Sequence, residues 1–361
     1  MIKGHGGNIG ELAKTLQCPT DEIIDMSSNL NPLGPPESIK DTIFDNIAAI
    51  QSLPEADAIS MRKGFAKFHG IDHNSVMAGN GTTWFIYTIP KALGARKVLI
   101  AGPTYSDYKD ACLMHGIKFK HCHAKASAKF DMDIDEVSRL AQLSDMVFIC
   151  NPNNPTGSLI SKNKLEYLLL KHEDTIFIFD ESYLPFVDHA HEISLVAESK
   201  YKNLIVLTSM SKIFRIPGLR TGFLSALKNI VEKIMVYSQP WSVNALAQAV
   251  IKDIFDHPET IDPFYEKTQN FISTEKEIFL EHINTISGLQ LFESSTYFIL
   301  ARLTGRMKAD NFCRKIGQNK ILIRNCSNFA GLSDEYVRFS LKTRRDNLNL
   351  ANLIKQALKN V

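Results

Sequence analysis

The sequence predicts an α/β protein: a large domain with a mostly parallel sheet covered by helices on both faces, plus a smaller α+β domain. Three observations carry this. Between about residues 76 and 225, short runs apolar on both faces alternate with helical periodicity. Polar loops follow those runs after residues 102, 150, 180 and 207. Beyond about residue 240 the alternation stops, and long helical stretches mix with isolated strands. Strands apolar on both faces belong to sheets covered on both sides. Ligands of such sheets lie at the carboxyl ends of the strands, where these loops fall.

Residues 1–36 are rich in Gly, Asn and Pro and read as an arm and an ordered loop, with His5-Gly6-Gly7-Asn8 near one end and Ser27-Ser28-Asn29 near the other. From Glu37 a helix is predicted, with Ile39, Ile43, Phe44, Ile47 and Ile50 at helical spacing, and another near 57–69. Gly79-Asn80-Gly81-Thr82-Thr83 opens a helix running toward Leu93. Strands are predicted at 97–101, 117–120, 146–150, 175–179, 204–207 and 222–225. Helices between them cover 107–115, a stretch capped by Asp133 and running through Leu143, and 162–172. Residues 242–282 read as a helical stretch broken near Pro258 and Pro263. Strands at 297–301, 321–324 and 336–341, a helix near 307–318 and a closing helix from Arg345 complete the smaller domain. The expected division is an arm over 1–36 packing with the small domain, a large domain over 37–240 and a small domain over 241–361.

At 361 residues with 44% hydrophobic side chains, the chain has room for two cores. Its 41 basic and 39 acidic residues nearly cancel, which gives no support to nucleic acid or an anionic membrane as partner. Six scattered cysteines form no CxxC, so neither a zinc site nor a disulfide framework is indicated. His121-Cys122-His123 resembles a metal cluster, but neighbours on a strand alternate faces, and the triplet reads as a solvated edge. No apolar signal segment opens the sequence and no run reaches membrane length. The expectation is a soluble protein of a reducing cytoplasm.

The chemistry centres on Ser209-Met210-Ser211-Lys212, which follows the apolar run 204–207, with Arg220 eight positions beyond the lysine. A lysine at the end of a core strand is costly as a free cation. An imine with a carbonyl compound removes that charge. Ser209, Ser211 and Arg220 are what a phosphate dianion needs, and Gly81 and Thr82 at a helix start add free N–H groups. Lysine imine plus phosphate cradle points to pyridoxal 5'-phosphate. The competing reading is a strand end with a surface lysine and a capped helix. Asp180 ends a core strand, where a carboxylate can pair with a pyridine nitrogen or simply cap a helix. Tyr183 and Asn154 can reach a ring oxygen, although Asn153-Asn154-Pro155-Thr156-Gly157 is also an ordinary turn. Tyr105 can stack on a ring or merely pack. Arg324 and Arg338 each lie in an apolar strand, which favours two anionic groups on a substrate, with an internal salt bridge as the alternative for each.

Asn154-Pro155-Thr156-Gly157, Asp180-Glu181-Ser182-Tyr183 and Ser209-Met210-Ser211-Lys212 with Gly218-Leu219-Arg220, in this order and spacing, resemble the fold-type-I pyridoxal-phosphate enzymes of the aspartate aminotransferase superfamily. The resemblance covers nearly the whole chain. Within the superfamily it is similar to the branch holding histidinol-phosphate aminotransferases and the threonine-phosphate decarboxylases of cobalamin biosynthesis. His5-Gly6-Gly7-Asn8, Pro240-Trp241-Ser242-Val243-Asn244-Ala245 and Ile321-Leu322-Ile323-Arg324-Asn325-Cys326 resemble the decarboxylases. The resemblance implies Lys212 as the Schiff-base lysine, Asp180 as the pyridine partner, and Tyr183 and Asn154 at the ring oxygen. It implies Gly81, Thr82, Ser209, Ser211 and Arg220 at the phosphate and Tyr105 on the ring face. His5, Gly6, Asn29, Asn154, Arg324 and Arg338 are the implied substrate contacts. Related enzymes often carry Tyr-Pro where this chain has Leu53-Pro54, and Leu53 cannot make that tyrosine's cross-subunit phosphate contact. Some of these decarboxylases carry a cysteine-rich C-terminal extension, and this sequence stops at Val361 without one.

The implied reaction is decarboxylation of a small phosphorylated amino acid, O-phospho-L-threonine to aminopropanol phosphate or O-phospho-L-serine to ethanolamine phosphate, for the cobamide nucleotide loop. The implied assembly is a homodimer. The rival within the family is a histidinol-phosphate aminotransferase. A non-catalytic cofactor-binding regulator requires a DNA-binding segment, and a nucleotide-binding protein a G-x-x-x-x-G-K-[ST] loop; the sequence contains neither.

Overall fold

The structure, a computed structural model, describes residues 6–198 and 200–359. Thirteen strands follow in chain order: β1 (Ile24–Asp25), β2 (Val76–Asn80), β3 (Lys97–Gly102), β4 (Lys118–His123), β5 (Met146–Cys150), β6 (Ile176–Asp180), β7 (Leu204–Ser209), β8 (Thr221–Ala226), β9 (Leu289–Leu291), β10 (Phe298–Leu303), β11 (Ile321–Leu322), β12 (Arg324–Asn325) and β13 (Tyr336–Ser340). Seven of them form one sheet in the order β2-β8-β7-β6-β5-β3-β4. All neighbours are parallel except β8, which runs against both β2 and β7. The central strands are buried almost throughout, with Phe148, Ile178, Phe179 and Val206 wholly inaccessible. This is the predicted doubly covered sheet.

Register brings the strand ends together. Cys150 pairs with Asp180, Asp180 with Leu207, and Ser209 with Gly222. The reversed β8 therefore starts where β7 ends, and β2 ends at the same corner, with Asn80 opposite Thr221. A second sheet, β12-β13-β10-β9, is antiparallel, and β1 pairs in parallel with β11. Ser340 donates its backbone N–H to the Met26 carbonyl at 2.8 Å, which carries the segment after β1 to the end of β13.

Four expectations change. The helix from Glu37 ends at Asp45, and Ile47–Gln51 is a separate 3-10 turn. Ile39 alone of the five predicted apolar positions is fully buried there. Pro263 does not break the later helix but sits in the first turn of Ile261–Ile283, where a missing N–H costs nothing. The run 321–324 is not one strand: it switches at Ile323 from β11 to β12 and so changes sheets. His121-Cys122-His123 does lie on the edge strand β4, yet Cys122 is only 5% exposed. On the other face His121 and His123 stack with ring centroids 4.9 Å apart.

Candidate active site

The corner where β2, β7 and β8 meet builds an anion cradle. Gly81 opens the helix Gly81–Ala92 with φ +76°, a conformation that favours glycine. A Cβ there would stand 2.9 Å from Nη2 of Arg220, so the missing side chain is what admits the guanidinium. Ser211 braces the turn: its hydroxyl donates to the Thr221 carbonyl at 3.2 Å. Asn244 caps the helix Ala245–Asp256 and donates to the Leu219 carbonyl at 2.9 Å, holding the Arg220 turn from behind. Free N–H groups, two serines and an arginine at a helix start match the demands of a phosphate dianion.

From that corner a cavity extends along the strand ends. Gly81, Thr82, Tyr105, Asn154, Asp180, Tyr183, Ser209, Ser211, Lys212 and Arg220, the ten cofactor residues named from the sequence, all line it. Asp180 is 5% exposed. Ser182 donates to its Oδ1 through both N–H and hydroxyl, and the Tyr108 hydroxyl donates to Oδ2 at 2.8 Å. Tyr183 accepts from the Asn29 amide at 3.4 Å. Asn154 accepts through Oδ1 from Nη1 of Arg338, which leaves its amide N–H groups for the cavity.

A second cavity of about 170 Å³ adjoins the first and shares Tyr105, Asn154, Tyr183 and Lys212 with it. Of the residues named for substrate, Gly6, Asn29, Asn154, Arg324 and Arg338 line it. His5 lies outside the described residues. Arg324 and Arg338 are directly opposed on β12 and β13, so both side chains rise from one face of the sheet. Arg338 is 4% exposed and has no carboxylate within ion-pair distance among the described residues. Its Nη2 donates to the Ser27 carbonyl at 2.6 Å, its Nε has no partner, and its guanidinium lies 5.4 Å from the centre of the Phe298 ring. Arg324 donates to Asn328 at 2.7 Å and lies over Phe329.

Burial dominates the electrostatics. It lowers the Lys212 pKa to about 8, with Arg220 and Arg338 adding repulsion and Asp180 opposing them. It raises the Asp180 carboxyl, against hydrogen bonds from Ser182 and Tyr108. It raises the Tyr183 phenol, which stays protonated at neutral pH. It lowers Arg324, and the nearby Arg338 adds to the effect. A nucleophilic amine, an anion cradle and a hydrogen-bonded carboxylate thus share one cleft, and the residues fit pyridoxal phosphate.

Sequence reading missed Tyr108, Ser182, Ser27, Ser28, Ser106, Asn328 and Phe329, which also line the two cavities. Tyr108 carried no signal, because an aromatic in the first turn of the helix Asp107–Met114 reads as core.

The model of the family described as "Aminotransferase class I and II" matches residues 21–355. The adenosylcobalamin biosynthesis bifunctional protein CobDQ of Leptospira interrogans is 31% identical over 95% of this chain, and the chain spans 40% of that protein's length. Threonine-phosphate decarboxylase of Salmonella typhimurium is 28% identical over 99% of this chain and 97% of its own. The crystal structure of histidinol-phosphate aminotransferase from Clostridium acetobutylicum superposes with a TM-score of 0.86 at 28% identity, over 94% of this chain and 100% of that one.

Proposed function

We propose that this chain, which belongs to the class I and II aminotransferase family and is a pyridoxal-phosphate-dependent enzyme of fold type I, decarboxylates an O-phosphorylated hydroxy-amino acid. The substrates are O-phospho-L-threonine, giving aminopropanol phosphate, or O-phospho-L-serine, giving ethanolamine phosphate, for the cobamide nucleotide loop. The observation that carries this reading is the opposed pair Arg324 and Arg338 at the cavity wall. Like charges directly opposite on neighbouring strands repel. A ligand with two anionic groups, a phosphate and a carboxylate, turns that repulsion into binding.

Bound pyridoxal phosphate supplies an electron sink for the pair left when a bond to the substrate's α-carbon breaks. Gly81, Thr82, Ser209, Ser211 and Arg220 would hold its phosphate. Asp180 would hold the ring nitrogen, Asn154 and Tyr183 the ring oxygen, and Tyr105 the ring face. Lys212 would anchor the cofactor through its amine and, once the substrate's own amine has displaced it, would place a proton on the α-carbon as carbon dioxide leaves. Arg324 takes the substrate phosphate, with Gly6 and Asn29 beside it on the cavity wall; His5, outside the described residues, is the remaining proposed contact. Arg338 takes the carboxylate. Its guanidinium also serves Asn154 and Ser27, so it orients the carboxylate without gripping it fully.

The same residues suit an aminotransferase of the histidinol-phosphate type, and the superposition at a TM-score of 0.86 favours keeping that second reading. The test is incubation of cofactor-loaded protein with each phosphoamino acid, quantifying carbon dioxide and amino-alcohol phosphate, with Lys212→Ala as control. Decarboxylation lost in the control supports the proposal. Keto product from histidinol phosphate and 2-oxoglutarate, with no carbon dioxide, overturns it. The assembly we propose is a homodimer, supported by the exposed apolar side chains Phe44, Ile47, Ile50 and Leu53, and its mass by light scattering checks it. We also propose the division into an arm over 1–36, a large domain over 37–240 and a small one over 241–361. No described helix is long and apolar enough to cross a membrane.

A further inference from the structure

The ring of Tyr108 is core. It is fully buried, stacked on Phe148 with centroids 4.8 Å apart and planes 12° from parallel, and edge-on to Tyr105 at 5.9 Å. A phenylalanine would fill the same space. The hydroxyl is what the packing does not require, and it donates to Oδ2 of Asp180 at 2.8 Å.

The two oxygens of Asp180 are held from different places. Oδ1 accepts from Ser182, two residues along the same turn. Oδ2 takes its donor from a separate element, the helix Asp107–Met114. A turn-local donor moves with the carboxylate, whereas one from another element fixes its rotation. An anion this deeply buried also needs donors to keep its charge.

We propose that Tyr108 is a positioning residue whose hydroxyl fixes the Asp180 carboxylate in rotation and keeps it anionic, so that it can hold a protonated ring nitrogen of pyridoxal phosphate. The proposal rests on the role given above to Asp180. Tyr108 also packs against Tyr105, so one side chain touches both proposed cofactor partners, Asp180 and Tyr105.

The test uses Tyr108→Phe, Phe148→Leu and Asp180→Asn, each confirmed as folded by near-ultraviolet dichroism. Cofactor affinity is measured by equilibrium dialysis, and ring-nitrogen protonation by nitrogen-15 resonance of labelled cofactor at pH 7. The expected result is at least about tenfold weaker binding in Tyr108→Phe, as for loss of a charge-assisted hydrogen bond. Its resonance should move toward the unprotonated position. Phe148→Leu, which disturbs packing but spares the hydroxyl, should keep the wild-type resonance. Wild-type affinity and resonance in Tyr108→Phe, with both lost in Asp180→Asn, would overturn the role of Tyr108 alone. An equal resonance shift in Phe148→Leu would also overturn it, because packing would then explain the effect. No change in Asp180→Asn would instead remove the role of Asp180 on which the proposal stands.

Discussion

Asn31 donates its backbone N–H to the carbonyl of Lys212 at 3.2 Å, and its side-chain amide to the next carbonyl, Ile213, at 2.7 Å. The same amide reaches the Thr268 hydroxyl at 3.0 Å, and Asn31 is wholly buried. The turn that carries Lys212 is therefore fastened to the loop after β1. Asn31→Ala strands a buried carbonyl. It should lower unfolding free energy by about 2–3 kcal/mol in urea titration of the apoprotein. Cofactor affinity should fall with it.

Gly81→Ala puts a methyl group 2.9 Å from Arg220 in a left-handed backbone position. The strain is local, on the order of 1–2 kcal/mol. The guanidinium must shift, so cofactor binding should weaken by at least about tenfold. Dialysis against pyridoxal phosphate, beside a thermal melt of the apoprotein, separates the two effects.

Lys212 sets a pH dependence. Its folded pKa, about 8, lies below the ordinary 10.5, so the neutral amine appears as pH rises through 8. The rate of cofactor capture by the apoprotein should rise with pH to a midpoint near 8, followed by absorbance in a stopped-flow mixer. Arg220 is among the causes of the depression, so Arg220→Gln should move the midpoint upward. The sign for stability follows. Between about pH 8 and 10.5 the unfolded lysine holds more protons than the folded one, so this group's penalty on the apoprotein shrinks as pH rises across that window.

Arg324→Gln removes one of the two opposed cations without touching the first cavity. Loss of the proposed charge-assisted contact to substrate phosphate predicts a drop in kcat/KM of about 10–100-fold. The visible spectrum of the bound cofactor should be unchanged. A spectrum altered as much as the rate would mean that Arg324 serves the cofactor instead.

Much of this site was legible because Asp180, Ser209, Ser211, Lys212 and Arg220 are polar residues where an apolar run breaks off, and a doubly covered sheet gathers such breaks at one edge. What stayed hidden depended on partners. Tyr108 reads as a core aromatic until Asp180, on another strand, meets its hydroxyl. The run 321–324 does not disclose that it changes sheets at Ile323, and only that switch sets Arg324 against Arg338. Pro263 reads as a breaker because its sequence neighbours do not reveal that it falls in a first turn. The exposure of Phe44, Ile47 and Ile50 defeats periodicity for a similar reason, since spacing marks an apolar face without saying what covers it.

The parallel ladder of β1 with β11 joins an early segment of the chain to a late one. A ribosome releases the first long before the second exists. The loop of Ser27, Ser28 and Asn29, which lines the second cavity, is tied through Met26 and Asn29 to Ser340, later still. The large sheet has all its strands by Ala226 and is free to condense while synthesis continues. The pocket is not: a nascent chain waits with its leading segment undocked until the final strands emerge. Birth order thus separates folding from competence. A translation product arrested after β8 would carry the corner of β2, β7 and β8 with Lys212, yet lack the Arg324 and Arg338 wall of the second cavity.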